Sequence, residues 1–217
     1  MASMISSRWL AFGLIILSFV LGAYEYPSMP DRMATHWGLK GEANGYASKA
    51  AGLFMLPVLS LILLGFFVAI PYIDPLKQNI KRFIGYYDGF VLVFTVFLLY
   101  LHLLTILYNL GYLFNMTELL SPALGLLYYF VGVLIGKSKK NWFIGIRTPW
   151  TLSSDFVWEK TNGLGGKLFK IAGVISLLGI FSGNYALILV IVPMIVFSAY
   201  LVVYSFLEYR KEAAKAH

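Results

Sequence analysis

Few side chains in this chain have the chemistry to move protons, ligate metals or grip anions, and their spacing limits what they can do. Asp88 and His102 sit in or beside one long apolar stretch, with Glu118 and Glu25 at the boundaries of others. Ionisable groups at membrane depth mark ion or proton pathways by default. On a helix, however, the step from 88 to 102 is almost four turns, roughly 21 Å along one face, so the two groups share a face and cannot touch. A relay would need partners between them, and Tyr86, Tyr87, Tyr100, Tyr108 and Tyr112 are the candidates, although tyrosine near a membrane boundary is normally an anchor.

His36, with Glu42 and Asp31 nearby, matches no tight metal-ligand spacing and reads as a hydrogen-bonding residue; no metal is expected. Arg147, flanked by Trp142, Pro149 and Trp150, offers a planar fork for a carboxylate or phosphate. It either pins its own loop, through Asp155, Glu159 or backbone carbonyls, or it grips a ligand such as a lipid headgroup, and the first reading is preferred. There is no G-x-S-x-G, H-E-x-x-H or phosphate loop, and no span holds two carboxylates, so no nucleophile, base and orienter assemble. The chain reads as non-enzymatic and without a cofactor. Zero cysteines rule out disulfides and thiolate metal sites.

The elements that must position these residues follow from composition. Of 217 residues 59% are hydrophobic and 12% charged, half the charged share of an ordinary globular domain, about 25%. Uncharged runs cover Ala50 to Ile73 and Gly89 to Thr117, where about 20 residues suffice to cross the hydrocarbon core. Shorter runs, Trp9 to Tyr24 and Leu119 to Gly136, have aromatic ends suited to the headgroup layer. The first could also be read as a signal peptide, but it lacks an A-x-A site and is taken as a retained helix. Ile171 to Leu207 is too long for one crossing and carries a Gly183-Asn184 break, so it should fold back, with Leu164 to Ser182 as the fifth span; a shallow re-entrant hairpin is the rival. The expected fold is an all-α transmembrane bundle of about six helices. It divides into an N-terminal helix pair, residues 1–73, and a four-helix region, residues 74–217.

Of the 17 basic residues, all but Arg32, Lys40 and Lys49 fall on one side of this map. The positive-inside rule makes the rich side cytoplasmic, together with both termini. The net charge of +7 then reflects topology and contact with membrane lipids, and direct nucleic-acid binding is not expected.

Two connections are long enough for recognition. The outer one, residues 25–49, starts with Pro27 and Pro30, which force an extended exit. Ala34 to Trp37 could form a strand, and Asn44-Gly45 is a turn dipeptide, which predicts a hairpin-like cap with His36 and Trp37 on opposite faces. The inner one, residues 137–167, opens on a basic cluster and cannot continue as helix through Thr148-Pro149. Ser153 or Ser154 should cap a short helix bearing Phe156, Val157 and Trp158, ended by Gly163, Gly165 and Gly166 and lying in the headgroup plane.

The stretch NWFIGIRTPWTLSSDFVWEKTNGLGGKL, residues 141–168, resembles the signature of the SdpI family, with Asn141, Gly145, Arg147, Thr148, Pro149, Trp150, Trp158, Gly165 and Gly166 at the expected places. Pro30, His36, Gly41, Asn44, Gly45, Tyr46, Ser48 and Lys49 resemble a domain of unknown function often fused ahead of that signature. The resemblance implies a multi-pass prokaryotic protein of the cell membrane that protects against a membrane-active peptide toxin met outside. It also implies signalling through a small cytoplasmic repressor held at the inner loop. The alternative, motivated by Asp88, His102 and Arg147, is a transporter or membrane-embedded enzyme acting on a small or lipidic substrate, with those groups opening on a polar cavity.

Overall fold

Six long helices carry the chain back and forth, as the apolar runs predict. The computed structural model describes residues 2–215, and their side chains from residue 7 onward. Helix α1 (Ala2–Glu25) leads into a hairpin of β1 (Arg32–Trp37) and β2 (Ala43–Ser48). Then come α2 (Lys49–Ile73), an elbow containing the short α3 (Lys77–Lys81), α4 (Ile84–Asn109) and α5 (Met116–Lys137). A loop and the short α6 (Pro149–Ser153) precede α7 (Asp155–Leu177) and α8 (Ala186–Lys215). Among the described residues, α1, α2, α4, α5, α7 and α8 are long and apolar enough to cross a bilayer.

Their surfaces are those of a lipid-solvated bundle. Large apolar side chains such as Ile62, Ile195, Val196 and Val203 point outward, while Ser18, Thr95, His102, Thr105, Ser121, Ser176 and Ser205 are buried. This inverts the arrangement of a water-soluble domain. Without water, polar groups must be satisfied inside the protein. Thr95, Thr105 and Ser176 accordingly donate to carbonyls one turn back, Val91, Leu101 and Ala172, at 2.8–2.9 Å.

Capping fixes where the helices begin. Ser48 accepts from the Ala51 amide at the start of α2. Asn115 accepts from the Thr117 and Glu118 amides at the start of α5, whose first turn holds Glu118 and last turn Lys137, both complementing the helix dipole. Ser154 caps α7, with Asp155 in its first turn.

α1 and α4 pack in parallel, with Arg8 beside Asp88 and Ser18 beside His102. α5 and α7 pack antiparallel and very closely. A Cβ on Gly132 would lie 2.7 Å from the Gly166 carbonyl, and one on Gly125 would lie 2.7 Å from the Gly173 carbonyl. Glycines seven apart on each helix therefore let the two backbones touch, the device by which small residues bring membrane helices together.

This corrects the reading of residues 155–166. Gly163, Gly165 and Gly166 do not end a short surface helix, because α7 runs through them to Leu177. The helix begins at Asp155, nine residues before the apolar stretch expected from Leu164, and that stretch runs on to Phe181, too long for a shallow re-entrant hairpin. The chain folds back near Gly183, as expected, through two short 3₁₀ turns.

The hairpin is also corrected in detail. Asn44-Gly45 is not its turn: both residues lie in β2, with Gly45 paired to His36. The turn is Gly38–Glu42, closed by Gly38 N–H to the Glu42 carbonyl at 2.9 Å, and Gly41 supplies the positive φ of 79°. Gly45 serves another purpose, since a Cβ there would stand 2.8 Å from that of His36.

The bundle thus has two ends. The hairpin end gathers β1, β2 and residues 110–115 and 178–185; the loop end gathers the start of α1, the elbow, residues 138–154 and the end of α8. A core of Ala11, Ile15, Leu64, Ile80, Phe83 and Tyr87 lies toward the loop end, and a smaller one of Met29, Met33, Leu53 and Ile106 seats the hairpin.

Candidate functional site

Residues 138–154 form a rigid knot at the loop end. Asn141, fully buried, is its centre. Its Oδ1 accepts from the Phe143 and Ile144 amides at 2.9 and 2.6 Å, and its Nδ2 donates to the Lys139 and Ile144 carbonyls at 2.8 Å. One amide side chain thus replaces the backbone pairing that the irregular segment lacks. Gly145 follows with φ 116°, and a Cβ there would lie 2.7 Å from Asn162 Oδ1 and 3.0 Å from the Trp158 ring. Asn162 Oδ1 accepts the Ile146 amide at 2.8 Å, and Trp158, buried, donates its indole N–H to the Ser138 carbonyl at 3.2 Å. The loop is therefore strapped to the first turns of α7.

Thr148 and Thr151 cap α6 reciprocally, with Pro149 at the first helical position, where its missing N–H costs nothing. Thr148 also donates to Ser205 Oγ at 3.0 Å, and Trp150 packs on Phe206 at 5.1 Å between ring centres, tying the loop to α8. On the other flank, buried Asp74 accepts the Leu76 amide at 2.6 Å and the Trp142 amide at 2.9 Å, while Asn79 donates to the Lys140 carbonyl at 2.8 Å. The α2–α4 elbow is thereby bound to the loop. Lys139–Glu159 and Lys140–Asp155 ion pairs, at 2.6 and 2.5 Å, close the outer surface.

Arg147 stands out from this network. It donates to the Trp142 carbonyl, its side chain is exposed, and it forms no ion pair with any described residue. A backbone carbonyl, not Asp155 or Glu159, is what it holds. Gly165 packs against Ile146 and Gly166 against α5.

At the opposite end, Asn109 clamps the hairpin by accepting the Ala34 amide at 2.7 Å and donating to its carbonyl at 3.0 Å. Trp37 packs on Tyr108, while His36, on the outward face, bonds Asn44 at 2.6 Å. Lys49 pairs with Asp31 at 3.6 Å and lies over the Tyr26 ring. Gly41 abuts the Asn115 side chain, whereas Pro30 and Tyr46 are exposed.

Asp88 and His102 lie on one buried face of α4, and both address α1. Asp88 Oδ1 accepts from Arg8 at 2.9 Å; His102 Nδ1 shares a 2.6 Å hydrogen bond with Ser18 Oγ. His102 Nε2 faces the Leu53 carbonyl without a hydrogen bond of good geometry.

A family model described as the SdpI/YfhL protein family matches residues 137–205, and one described as a domain of unknown function, DUF1648, matches residues 13–61. Residues 137–205 are thus a region of SdpI type. The chain is similar to the "Immunity protein SdpI" of Bacillus subtilis (strain 168), 26% identical over 199 residues that span 91% of this chain and 93% of that protein. No solved structure matches the chain.

The SdpI region thus takes in the knot, α6, α7 and most of α8, and the DUF1648 region takes in the second half of α1, the hairpin and the first half of α2. Arg8, Asp74, Asp88 and His102 fall in neither. Sequence reasoning missed Asp74, Asn109, Thr151 and Asn162, which fasten the knot and the hairpin to their neighbours. The available signals were an acid directly before Pro75 at the end of an apolar run, and lone amides inside otherwise apolar helices.

Proposed function

We propose that this protein gives its cell immunity to a membrane-active peptide toxin, sensing it at the hairpin end and signalling at the loop end. The observation that carries the reading is the match to the immunity protein over nine-tenths of both chains, which includes both ends of the bundle and not the signature alone. The charge asymmetry supports a cytoplasmic loop end and an outward hairpin end in the cell membrane. A knot fastened at once to the elbow, α7 and α8 is a surface on which a small cytoplasmic repressor can dock. The hairpin, clamped to α4 by Asn109, is the surface a toxin arriving from outside would meet.

The alternative, transport or membrane-embedded catalysis, would use Asp88 and His102 as working groups in a shared cavity; their engagement with Arg8 and Ser18 gives it no support. The test is survival. Toxin-sensitive cells expressing the chain are expected to outlive vector controls when challenged with an SDP-type peptide, and Arg147→Ala is expected to insert normally yet weaken protection or signalling. Equal killing of cells with abundant, membrane-inserted wild-type protein overturns the immunity reading.

A further inference from the structure

A groove of about 460 Å³ runs between α2, α4, α5 and the knot, within the size range of ordinary ligand sites, about 300–1,000 Å³. Its walls carry Phe66, Phe67, Phe90, Phe143 and Phe169, and Arg147 is the one charged residue of the lining. Phe66 is half exposed on the rim, and Phe143 of the knot packs against it, ring centres 6.2 Å apart. The loop end thus brings an apolar slot and a cation together at the ends of the membrane-spanning helices.

Arg147 is built for an external anion. Its guanidinium has five N–H donors, its bonding among the described residues is to the Trp142 carbonyl, and no carboxylate neutralises it. A phosphodiester accepts two parallel N–H bonds from such a fork. Bases outnumber acids at this end, so a headgroup of net negative charge is favoured over a zwitterion.

We infer that the groove holds an anionic phospholipid from the leaflet at the loop end, one acyl chain among the phenylalanines and the phosphate on Arg147. The lipid would complete the surface of the knot next to the elbow. Nothing in this depends on toxin immunity.

The purified full chain, incubated with equal phosphatidylglycerol and phosphatidylcholine of identical chains, is read by native mass spectrometry. Phosphatidylglycerol adducts are expected to exceed phosphatidylcholine adducts by about fivefold, the preference that one basic contact of roughly 1 kcal/mol supplies. Arg147→Gln, which loses one bond to a carbonyl on an exposed surface, should erase the preference at unchanged melting temperature, and Arg147→Lys should keep part of it. Val131→Trp, filling the slot, should reduce retention of both lipids; should that variant not fold, dioctanoyl-phosphatidylglycerol, whose shorter chains offer less apolar surface to the groove, should be retained less than the dioleoyl lipid by the wild type. Equal retention of the two headgroups, or an unchanged preference in Arg147→Gln, overturns the inference. So does displacement of the lipid by glycerol 3-phosphate at equal concentration, which would make Arg147 a small-anion site. Because no toxin is present, failure here leaves the immunity reading standing, and loss of immunity leaves the lipid result standing.

Discussion

Arg8 and Asp88, eighty positions apart, meet at 2.9 Å near the loop end of the bundle, and they set the rotation of α1 against α4. Asp88 is 3% exposed, and its Oδ2 has no hydrogen-bond partner among the described residues, so Arg8 alone compensates its charge. Removing one member of such a pair costs about 3–5 kcal/mol, whereas replacing both with apolar residues is often neutral. Arg8→Met should therefore lower the unfolding midpoint in detergent far more than Arg8→Met combined with Asp88→Leu. A double variant no more stable than the single one would show that Asp88 is not a buried liability.

The second polar contact of the same interface, Ser18 with His102, is internal to the bundle. Interhelical hydrogen bonds of this kind average about 0.6 kcal/mol and reach about 1.7. A double-mutant cycle with Ser18→Ala and His102→Leu is expected to return a coupling within that range. A coupling near zero would mean that apolar packing alone holds α1 on α4 at this level.

Neighbouring glycines of α7 should respond in opposite directions. A Cβ on Gly166 would stand 2.7 Å from the Gly132 carbonyl, whereas one on Gly163 meets nothing within 4 Å. Gly166→Ala forces the α5 and α7 backbones apart and should cost about 1–3 kcal/mol. Gly163→Ala adds helix propensity, up to about 1 kcal/mol, and should be neutral or stabilising. Equal melting temperatures for the two variants would disprove the backbone contact.

That contrast shows what was legible in the sequence. Span number and approximate position come from local composition, because crossing a bilayer requires an apolar run of fixed length wherever it lies. The meaning of Gly165 and Gly166 does not, since glycine both ends helices and lets them touch, and only the α5 partner decides. Asn44-Gly45 misled for a similar reason: Gly41 already supplied the positive φ, and Gly45 was needed small opposite His36. The signature residues of the knot were visible as a set through family resemblance, but Asp74 and Asn162, which bind the knot to its neighbours, acquire that role only through contacts distant in sequence. Arg147 donates to the Trp142 carbonyl and so pins its own loop, a contact that leaves its other N–H groups open to a ligand.

Within the knot, Asn141 carries four hydrogen bonds while buried, so its truncation should exceed the effect of any surface change nearby. Each buried backbone group left without a partner costs about 1–3 kcal/mol. Asn141→Ala is expected to destabilise the protein strongly and expose the loop to protease. Asn141→Asp keeps the acceptor for Phe143 and Ile144 but turns an oxygen onto the Lys139 and Ile144 carbonyls in a buried site, and should be no more stable than Asn141→Ala. Resistance of Asn141→Ala to proteolysis would remove Asn141 from the centre of the knot.

The orientation is open to a direct chemical test, because zero cysteines leave no background for thiol labelling. Lys40 lies at the tip of the hairpin and Lys81 in the elbow, at opposite ends of the bundle, and both are exposed. The hairpin end holds Arg32, Lys40 and Lys49 against Glu25, Asp31, Glu42 and Glu118, while the other basic residues belong to the loop end. Retaining the rich side in the cytoplasm is favoured by the membrane potential and by anionic lipid. Lys40→Cys in intact cells should react with a membrane-impermeant maleimide, and Lys81→Cys should react only after lysis. The reverse pattern would place the knot outside, and a toxin would then meet Arg147 before it met His36.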